Sequence, residues 1–170
     1  MRVIAGKYKR KNLKSLETND TRPTKDMVRE AIFDTVLIND TDSFLDLFAG
    51  SGAVGIEAIS RGAAKVVFND LNPKAVDMIK ENLNNLKELA TVYNDDAFSL
   101  VSKLKEQFDY IFIDPPYAFD RYDELINLIK NNNLLKLNGT LILEVNKDTI
   151  INHPVFKERK YGISKLFYIK

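Results

Sequence analysis

The chain has 170 residues, 45% of them hydrophobic and 29% charged, which predicts one soluble globular domain with a sizeable core. No apolar run approaches the roughly 18 residues of a membrane span, and the first residues lack the apolar centre of a signal peptide, so we expect a cytoplasmic protein. Cysteine is absent and there is a single histidine, which excludes disulfides and thiolate metal sites, and we expect no metal.

The net charge of +1 hides an uneven distribution along the chain. Residues 1–29 carry nine Lys or Arg against three Asp or Glu, and residues 153–170 carry five against one, around an acidic middle. Four basic residues with no acid near them in sequence are Lys7, Lys9, Arg10 and Lys11. This density is typical of an RNA-binding surface, but a solvated tail would show the same pattern, so both interpretations stay open.

The N-terminal part is predicted to form a short extension ahead of the main domain. Residues 2–16 alternate loosely and predict a short β-hairpin. Thr24 can then cap a helix that extends to about Leu37. We therefore expect a basic N-terminal extension over residues 1–23 and one domain over residues 24–170.

From residue 43 onward, predicted strands and helices alternate. Apolar runs predict strands over residues 44–48, 65–69, 91–94, 108–113 and 140–145. Helices are predicted between them, the first over residues 54–60 and the second from Pro73, which suits a first helical turn. This alternation indicates a parallel sheet covered on both faces. The last two runs, residues 155–160 and 163–169, predict an antiparallel hairpin.

A glycine-rich turn follows the first of these strands. Gly50, Gly52 and Gly55 form a G-x-G-x-x-G pattern, in which glycine lets the backbone turn tightly and lets a ligand approach it. Asp70 ends the next strand 20 positions after Gly50, and an acid there can hold ribose hydroxyls. The alternative is that Asp70 merely caps the helix that begins at Pro73. These residues alone fit a nicotinamide dinucleotide as well as S-adenosylmethionine.

The segment after the third strand and the Asp-Pro-Pro-Tyr motif at a later strand end favour the methyl donor over a dinucleotide, and an acid in the first strand could contribute to its site. Asp46 lies inside the first strand, close to Phe48, and could hold the amino-acid end of S-adenosylmethionine. The alternative is a polar residue that anchors the glycine loop. After the third strand, a carboxylate of Asp95 or Asp96 could accept the adenine amino group, or it could instead cap the next helix. Ala97 and Phe98 follow these acids and are expected at the same adenine site, where the Phe98 ring could lie near the base.

The most informative motif is Asp114-Pro115-Pro116-Tyr117, directly after a predicted buried strand. The prolines turn the backbone out of the sheet, at the edge where ligands gather in open α/β sheets. A carboxylate and a backbone carbonyl can accept the two N–H bonds of an exocyclic amine on a planar base, which frees its lone pair for alkylation. The tyrosine can stack on that base. The alternative is a turn with a half-buried packing tyrosine.

Several segments, taken together, resemble the RsmD family, whose members are bacterial methyltransferases acting on a guanine N2 in small-subunit ribosomal RNA. The resemblance rests on residues 45–58 (LDLFAGSGAVGIEA), 60–63 (SRGA), 2–7 (RVIAGK), 21–24 (TRPT), 29–33 (REAIF) and 114–117 (DPPY). It departs from the family at Asn69, where we expect an apolar residue, and at residues 161–164, where the family usually has Tyr-Gly-Asp-Thr.

The resemblance implies a Rossmann-like class I S-adenosylmethionine-dependent methyltransferase fold. This is α/β, with a mostly parallel seven-stranded sheet, a C-terminal antiparallel hairpin and the short N-terminal β-hairpin and helix extension. The expected catalytic residues are Asp114, Pro115, Pro116 and Tyr117. The expected cofactor-binding residues are Asp46, Phe48, Gly50, Gly52, Asp70, Asp96 and Ala97. The expected RNA-binding residues are Lys7, Lys9, Arg10, Lys11 and Arg22.

The predicted function is therefore methylation of a guanine N2 in 16S ribosomal RNA, by a monomer that acts on RNA, a ribosomal subunit or an assembly intermediate. One alternative is a DNA adenine-N6 or cytosine-N4 methyltransferase, although 170 residues leave no separate target-recognition domain. Another is an inactive methyltransferase fold that binds RNA as an assembly factor. We assign no chemistry to His153, which lies far from every motif in sequence.

Overall fold

Strands and helices alternate along most of the chain in the computed structural model, which describes residues 1–15 and 26–170. The helices are α1 (Asp26–Thr35), α2 (Ala53–Ser60), α3 (Pro73–Leu86), α4 (Ala97–Lys103) and α5 (Tyr122–Asn131). The strands are β1 (Ser43–Asp46), β2 (Lys65–Asn69), β3 (Thr91–Tyr93), β4 (Phe108–Ile113), β5 (Leu135–Asn146), β6 (Lys157–Tyr161) and β7 (Ser164–Ile169). The predicted Thr24 cap, Arg22 and the boundary at residues 23 and 24 lie outside the described residues.

The seven strands form one sheet in the order β3-β2-β1-β4-β5-β7-β6. The first five strands in this order, β3-β2-β1-β4-β5, pair in parallel, whereas β7 pairs antiparallel with both β5 and β6. The predicted parallel sheet with an antiparallel C-terminal hairpin is thus confirmed. The strand order reverses between β1 and β4, and in open α/β sheets the crevice at such a reversal is where ligands bind.

Both faces of the sheet are covered, as the apolar runs predicted. Side chains alternate between the faces along each strand, so Phe44 and Phe112 join one core cluster while Leu45 and Ile113 join the other. The first cluster packs against α1, α2 and α3, and the second packs against α4 and α5. This sandwich leaves the carboxyl ends of the parallel strands open as a site.

Strand β5 is longer than predicted, because it begins at Leu135 rather than at residue 140. The register against β4 shifts between Phe108 and Tyr110, so Phe108 pairs with Leu135 while Tyr110 pairs with Thr140. The Asn-Gly pair at positions 138 and 139 falls within this irregular stretch. A bulge of this kind interrupts the apolar pattern without ending the strand.

The first 15 residues fold back along α2 as an arm, which we define as residues 1–15. The predicted hairpin takes the form of one antiparallel bridge, between Arg2 and Asn12. The amides of Ile4 and Ala5 donate instead to the buried carboxylate of Glu57 in α2, at 2.8 and 2.9 Å. Because these backbone groups bond to α2, they cannot extend a two-stranded ladder. Val3 and Leu13 of the arm join the first core cluster.

Within residues 1–15 and 26–170, no helix has the length and apolar character needed to cross a membrane.

Candidate active site

A cavity of about 650 Å³ opens at the carboxyl ends of the parallel strands. It lies at the strand-order reversal between β1 and β4, where the topology places a ligand site. Its lining includes the predicted cofactor-side residues Asp46, Phe48, Gly50, Asp70, Asp96 and Ala97 and all four predicted catalytic residues, Asp114, Pro115, Pro116 and Tyr117. Residues as far apart in sequence as Asp46 and Tyr117 are therefore brought to one site.

The glycine loop is held open by left-handed backbone at two positions. Gly50 has φ 54° and Gly52 has φ 79°, which side chains rarely adopt. Gly52 also forms the N-cap of α2. A Cβ at Gly50 would meet no atom within 4 Å, so the space beside this backbone is open to a ligand. Gly52 itself does not line the cavity, since its nearest neighbours are side chains of α2 and α3.

Asp70 connects the glycine loop to the start of α3. One carboxylate oxygen accepts the Gly50 amide at 2.8 Å, and the other accepts the Asn72 amide at 2.8 Å. The alternative that Asp70 caps α3 is wrong, because the Asn72 side chain is the N-cap and accepts from the Lys74 amide at 3.0 Å. Asp70 thus fixes the cavity wall and keeps its carboxylate at the strand end.

Asp46 is a buried carboxylate with only one of its oxygens engaged by the described residues. Its Oδ2 accepts the Gly55 amide of α2 at 2.9 Å, which fits the anchoring alternative. Its Oδ1 has no hydrogen-bond partner within residues 1–15 and 26–170, although the residue is 1% exposed. Burial raises the pKa of Asp46 to about 7, the Gly55 amide opposes this shift, and the charge of Asp70 adds to it. An orphaned oxygen on the cavity wall is suited to bind a cationic ligand group.

Asn69 stands at the end of β2, where the family resemblance led us to expect an apolar residue. It has a structural role that sequence reasoning missed. It is buried, and its side-chain amide donates to the carbonyls of Leu47 and Asp95, both at 3.1 Å. Its side-chain oxygen accepts the Asp95 amide at 3.2 Å. An apolar residue could not make these bonds. Asn69 therefore ties together the ends of β1, β2 and β3 beneath the cavity.

The structure separates the roles of the two acids after β3. Asp96 is the N-cap of α4, and its Oδ1 accepts the amides of Phe98 and Ser99, both at 3.0 Å. This confirms the capping alternative, and Asp96 still lines the cavity. Asp95 instead pairs with Lys103 at 2.7 Å, which lowers its pKa, and it does not line the cavity.

Aromatic rings form one wall of the cavity, and sequence reasoning identified only part of this group. Phe119 lies 5.7 Å from Phe48, 6.2 Å from Phe98 and 5.0 Å from Tyr122, measured between ring centroids. The Arg121 guanidinium lies 4.0 Å from the Phe98 ring centroid on the outer side. Such a wall suits a planar ring. Phe119 and Tyr122 carried no motif in sequence, so only the fold could reveal them.

The Asp-Pro-Pro-Tyr segment follows β4 directly and lines the cavity with all four of its residues. The Phe119 amide donates to the Pro116 carbonyl at 2.9 Å, which closes the turn. Pro115 is buried, whereas Tyr117 is 57% exposed. This exposure favours the stacking interpretation of Tyr117 over the alternative of a half-buried packing residue. A rigid turn with an exposed ring beside a carboxylate is suited to receive a base from solvent.

One acid in the cavity wall was not among the predicted site residues. Glu144 lies in β5, is 2% exposed and lines the same cavity as Asp114. A signal was present in the sequence, because this acid interrupts the apolar run at residues 140–145 that predicts β5. Charged residues are rarely buried without a specific role.

Four predicted RNA-binding residues fall within the described ranges, and none of them lines the cavity: Lys7, Lys9, Arg10 and Lys11. The Lys7 amide donates to the carbonyl of Ser60, at the end of α2 opposite to the cavity-lining Ala53. Eight helical residues span about 12 Å, so the basic turn of the arm is roughly that far along α2 from the cavity. Lys7 has no acid near it in sequence, but in the fold it pairs with Glu88 at 2.5 Å, and this hydrogen bond raises the pKa of Lys7.

Replacing Asp70 with alanine is expected to weaken S-adenosylmethionine binding by about 1.5–3 kcal/mol, the scale of hydrogen bonds to a charged group. Part of this loss reflects the Gly50 amide, which loses its acceptor. Calorimetry of the folded variant measures the effect, and Asp77→Ala, which removes an exposed carboxylate of α3, is the control. Equal affinity in wild type and Asp70→Ala would exclude this role, and tight NADH binding would favour a dehydrogenase.

The comparison with known proteins agrees with this geometry. The family described as Conserved hypothetical protein 95 matches residues 1–170. The Ribosomal RNA small subunit methyltransferase D of Haemophilus influenzae is 37% identical over 174 aligned positions, which cover 96% of this chain and 90% of that protein. A solved structure of a Thermus thermophilus protein is 31% identical with a TM-score of 0.89, covering 100% of this chain and 99% of the other.

A more distant structure shares the fold. It is the Thermus thermophilus 16S rRNA N2 G1207 methyltransferase, solved with AdoMet and guanosine, which is 19% identical with a TM-score of 0.74 over 91% of this chain and 44% of that one. The α/β fold predicted from the sequence is thus confirmed. Because the family match spans the whole chain, this protein belongs to the Conserved hypothetical protein 95 family, the RsmD family of S-adenosylmethionine-dependent methyltransferases.

Proposed function

We propose that this chain transfers a methyl group from S-adenosylmethionine to the exocyclic N2 amine of a guanine in small-subunit ribosomal RNA. The observation that carries the proposal is the joining, in one cavity, of the glycine-loop acids with the Asp-Pro-Pro-Tyr turn. The name of the Haemophilus influenzae relative supports ribosomal RNA as the substrate. We further propose a cytoplasmic monomer that acts on RNA within a ribosomal subunit or an assembly intermediate.

The residues on the cofactor side fit the chemical groups of S-adenosylmethionine. The orphaned Oδ1 of Asp46 suits the ammonium of the amino-acid end, and the open space beside Gly50 admits a ligand close to the backbone. Asp70 is assigned to the ribose hydroxyls, and Asp96 with Ala97 to the adenine edge. Phe48 and Gly52 shape the loop around these groups. Bound in this way, S-adenosylmethionine supplies an electrophilic methyl group on a positively charged sulfur.

The residues on the substrate side act on the nitrogen that receives the methyl group. The Asp114 carboxylate accepts one N–H of the amine, and the Pro115 carbonyl accepts the other. Pro116 keeps the turn rigid, and Tyr117 stacks on the base. In the transfer the new N–C bond would form as the C–S bond breaks with its electron pair left on sulfur, and the cationic amine would then release one proton to solvent water. That proton is acidic in the cationic product, so positioning supplies most of the catalysis.

The target base must reach the cavity out of a duplex or from a loop, since the amine of a paired guanine is covered by its partner. The exposed position of Tyr117 at the cavity mouth supports capture of such an unstacked base. We expect the small subunit to present its target in this form.

The deciding experiment supplies labelled S-adenosylmethionine with small subunits, naked ribosomal RNA or DNA, and identifies the methylated nucleoside by mass spectrometry. N2-methylguanosine in the ribosomal RNA is the expected product. N6-methyladenine or N4-methylcytosine in DNA would establish the rival amino-methyltransferase. Cofactor and RNA binding without any product would establish the inactive assembly factor.

The basic turn of the arm, with Lys7, Lys9, Arg10 and Lys11, is expected to contact RNA phosphates at a distance from the reaction. Lys9 and Lys11 are exposed, whereas Lys7 is paired with an acid and Arg10 has a left-handed φ of 70° that makes it a poor position to change. Replacing Lys9 and Lys11 with glutamine should reduce the slope of log affinity against log salt by about 1.4, from about 0.7 per contact on single strands.

The measurement is RNA binding at several salt concentrations, with S-adenosylmethionine affinity measured alongside and expected to stay unchanged. Replacement of the exposed Lys80 and Lys105 with glutamine removes the same charge elsewhere and is the matched control. Equal slopes for both double variants would identify the arm as an ordinary solvated segment. The C-terminal hairpin would then be the next surface to test, through the exposed Arg159 and Lys160 and not through the buried Lys165.

A further inference from the structure

Glu144 occupies a position that neither the motif nor the glycine loop accounts for. It stands in β5 between Leu143 and Val145, both buried, and is itself 2% exposed. Burying a carboxylate in such an apolar strand costs free energy, so a specific role is expected of it. Its place on the cavity wall, together with Asp114 and Tyr117, points to the bound base as the group it serves.

The sheet places Glu144 beside Asp114. Strands β4 and β5 are parallel, with Phe112 paired to Ile142 and Ile113 paired to Leu143. Asp114 and Glu144 each follow one residue later, on neighbouring strands that run about 4.8 Å apart. Asp114 directly follows the end of β4, and both acids line the same cavity.

Two neighbouring carboxylates can accept hydrogen bonds from the Watson–Crick edge of guanine, but they repel the corresponding edge of adenine or cytosine. Guanine N2 is flanked by the ring N1–H, so its Watson–Crick edge presents adjacent donors. The amines of adenine and cytosine are each flanked on that edge by a ring nitrogen that accepts. An ionised carboxylate only accepts hydrogen bonds, so it attracts N1–H of guanine and repels the ring acceptor of adenine or cytosine.

We propose that Glu144 accepts the N1–H of the target guanine while Asp114 holds its N2 amine. This inference rests on the proposed function and deepens it, because it names the residue that selects guanine. Sites built to hydrogen-bond one group strongly reject an analogue that lacks it, since the buried polar group of the site is then left unpaired.

The test uses RNA in which the target guanine, once mapped, is replaced by 2-aminopurine. This base keeps the N2 amine but carries an acceptor at N1. Wild type should methylate guanine at least about 100-fold more efficiently in kcat/KM than 2-aminopurine. The isosteric Glu144→Gln can donate to that acceptor, so its kcat/KM for guanine should fall about 10- to 100-fold and its preference should shrink below about 10-fold.

Three controls make the outcomes distinguishable. S-adenosylmethionine affinity should stay unchanged in Glu144→Gln, and Glu106→Gln, at a half-buried residue paired with Lys65 away from the cavity, should keep full activity and preference. A wild type that accepts 2-aminopurine as well as guanine would overturn the inference, whatever the fate of the variant. A Glu144→Gln variant that loses cofactor binding would also overturn the inference, as would one that loses activity on guanine and 2-aminopurine alike. Wild type with no activity on guanine at all would instead overturn the proposed function.

Discussion

Replacing Asp114 with alanine is expected to reduce methyl transfer by about 10³-fold while leaving S-adenosylmethionine affinity close to that of wild type. The reason is that Asp114 holds the reacting nitrogen, and loss of one positioned charged group at a reacting centre has effects of this size. The acid follows β4, whereas the glycine loop follows β1 and Asp70 follows β2, so the cofactor keeps its contacts. Turnover with ribosomal RNA and calorimetry with the cofactor measure the two quantities.

The matched control is Asp120→Ala, which removes an exposed carboxylate from the same loop outside the cavity lining. It should keep nearly full activity, because it does not reach the base. An Asp114→Ala variant that folds, binds the cofactor and retains a tenth of wild-type turnover would contradict the amine-holding role. The Pro115 carbonyl would then have to orient the amine alone.

The regular elements were predictable because their patterns are local. Strands β2 and β4 have the predicted bounds, since each is a short apolar run with a polar or proline stop. Helix α3 begins at the predicted Pro73, since proline suits a first turn. The glycine loop and the Asp-Pro-Pro-Tyr turn were also visible, because each places its chemistry within a few consecutive residues.

Other features depended on contacts between distant segments. Glu57 accepts the Ile4 amide 53 positions away, and this bond keeps the arm from forming the longer hairpin that was predicted. Asn69 looked like a weak point of the family pattern until its bonds to Leu47 and Asp95 were seen. Periodicity can mark such polar residues as unusual within an apolar run, but it cannot name their partners.

The binding of S-adenosylmethionine is expected to depend on pH through Asp46. Because burial raises the pKa of this carboxyl to about 7, part of the unliganded protein carries a neutral Asp46 at neutral pH. A cationic ammonium near Oδ1 favours the ionised form, so binding releases the proton. Affinity should therefore fall almost tenfold for each pH unit below about 6.5, and should level off above about 7.5.

The same carboxyl should make the unliganded protein less stable as the pH rises. A carboxyl in the unfolded chain titrates near pH 4, so between about pH 4 and 7 the folded state binds more protons than the unfolded state, and stability falls. Asp46→Asn abolishes this titration and can keep the Gly55 amide bond through its carbonyl oxygen. The variant should gain at most about 4 kcal/mol over wild type at pH 8 and almost nothing at pH 4.

Calorimetric titrations from pH 5.5 to 7.5 and thermal unfolding without cofactor test both consequences in the same pair of proteins. Asp46→Asn should bind the cofactor more weakly than wild type at pH 7.5, and its affinity should barely change over this range. Asp77→Asn, at an exposed carboxylate of α3, should keep the wild-type profile and is the control. A flat wild-type affinity profile, combined with no gain in stability for Asp46→Asn at pH 8, would mean that Asp46 is already ionised before binding. The residue would then serve only to anchor α2 through Gly55.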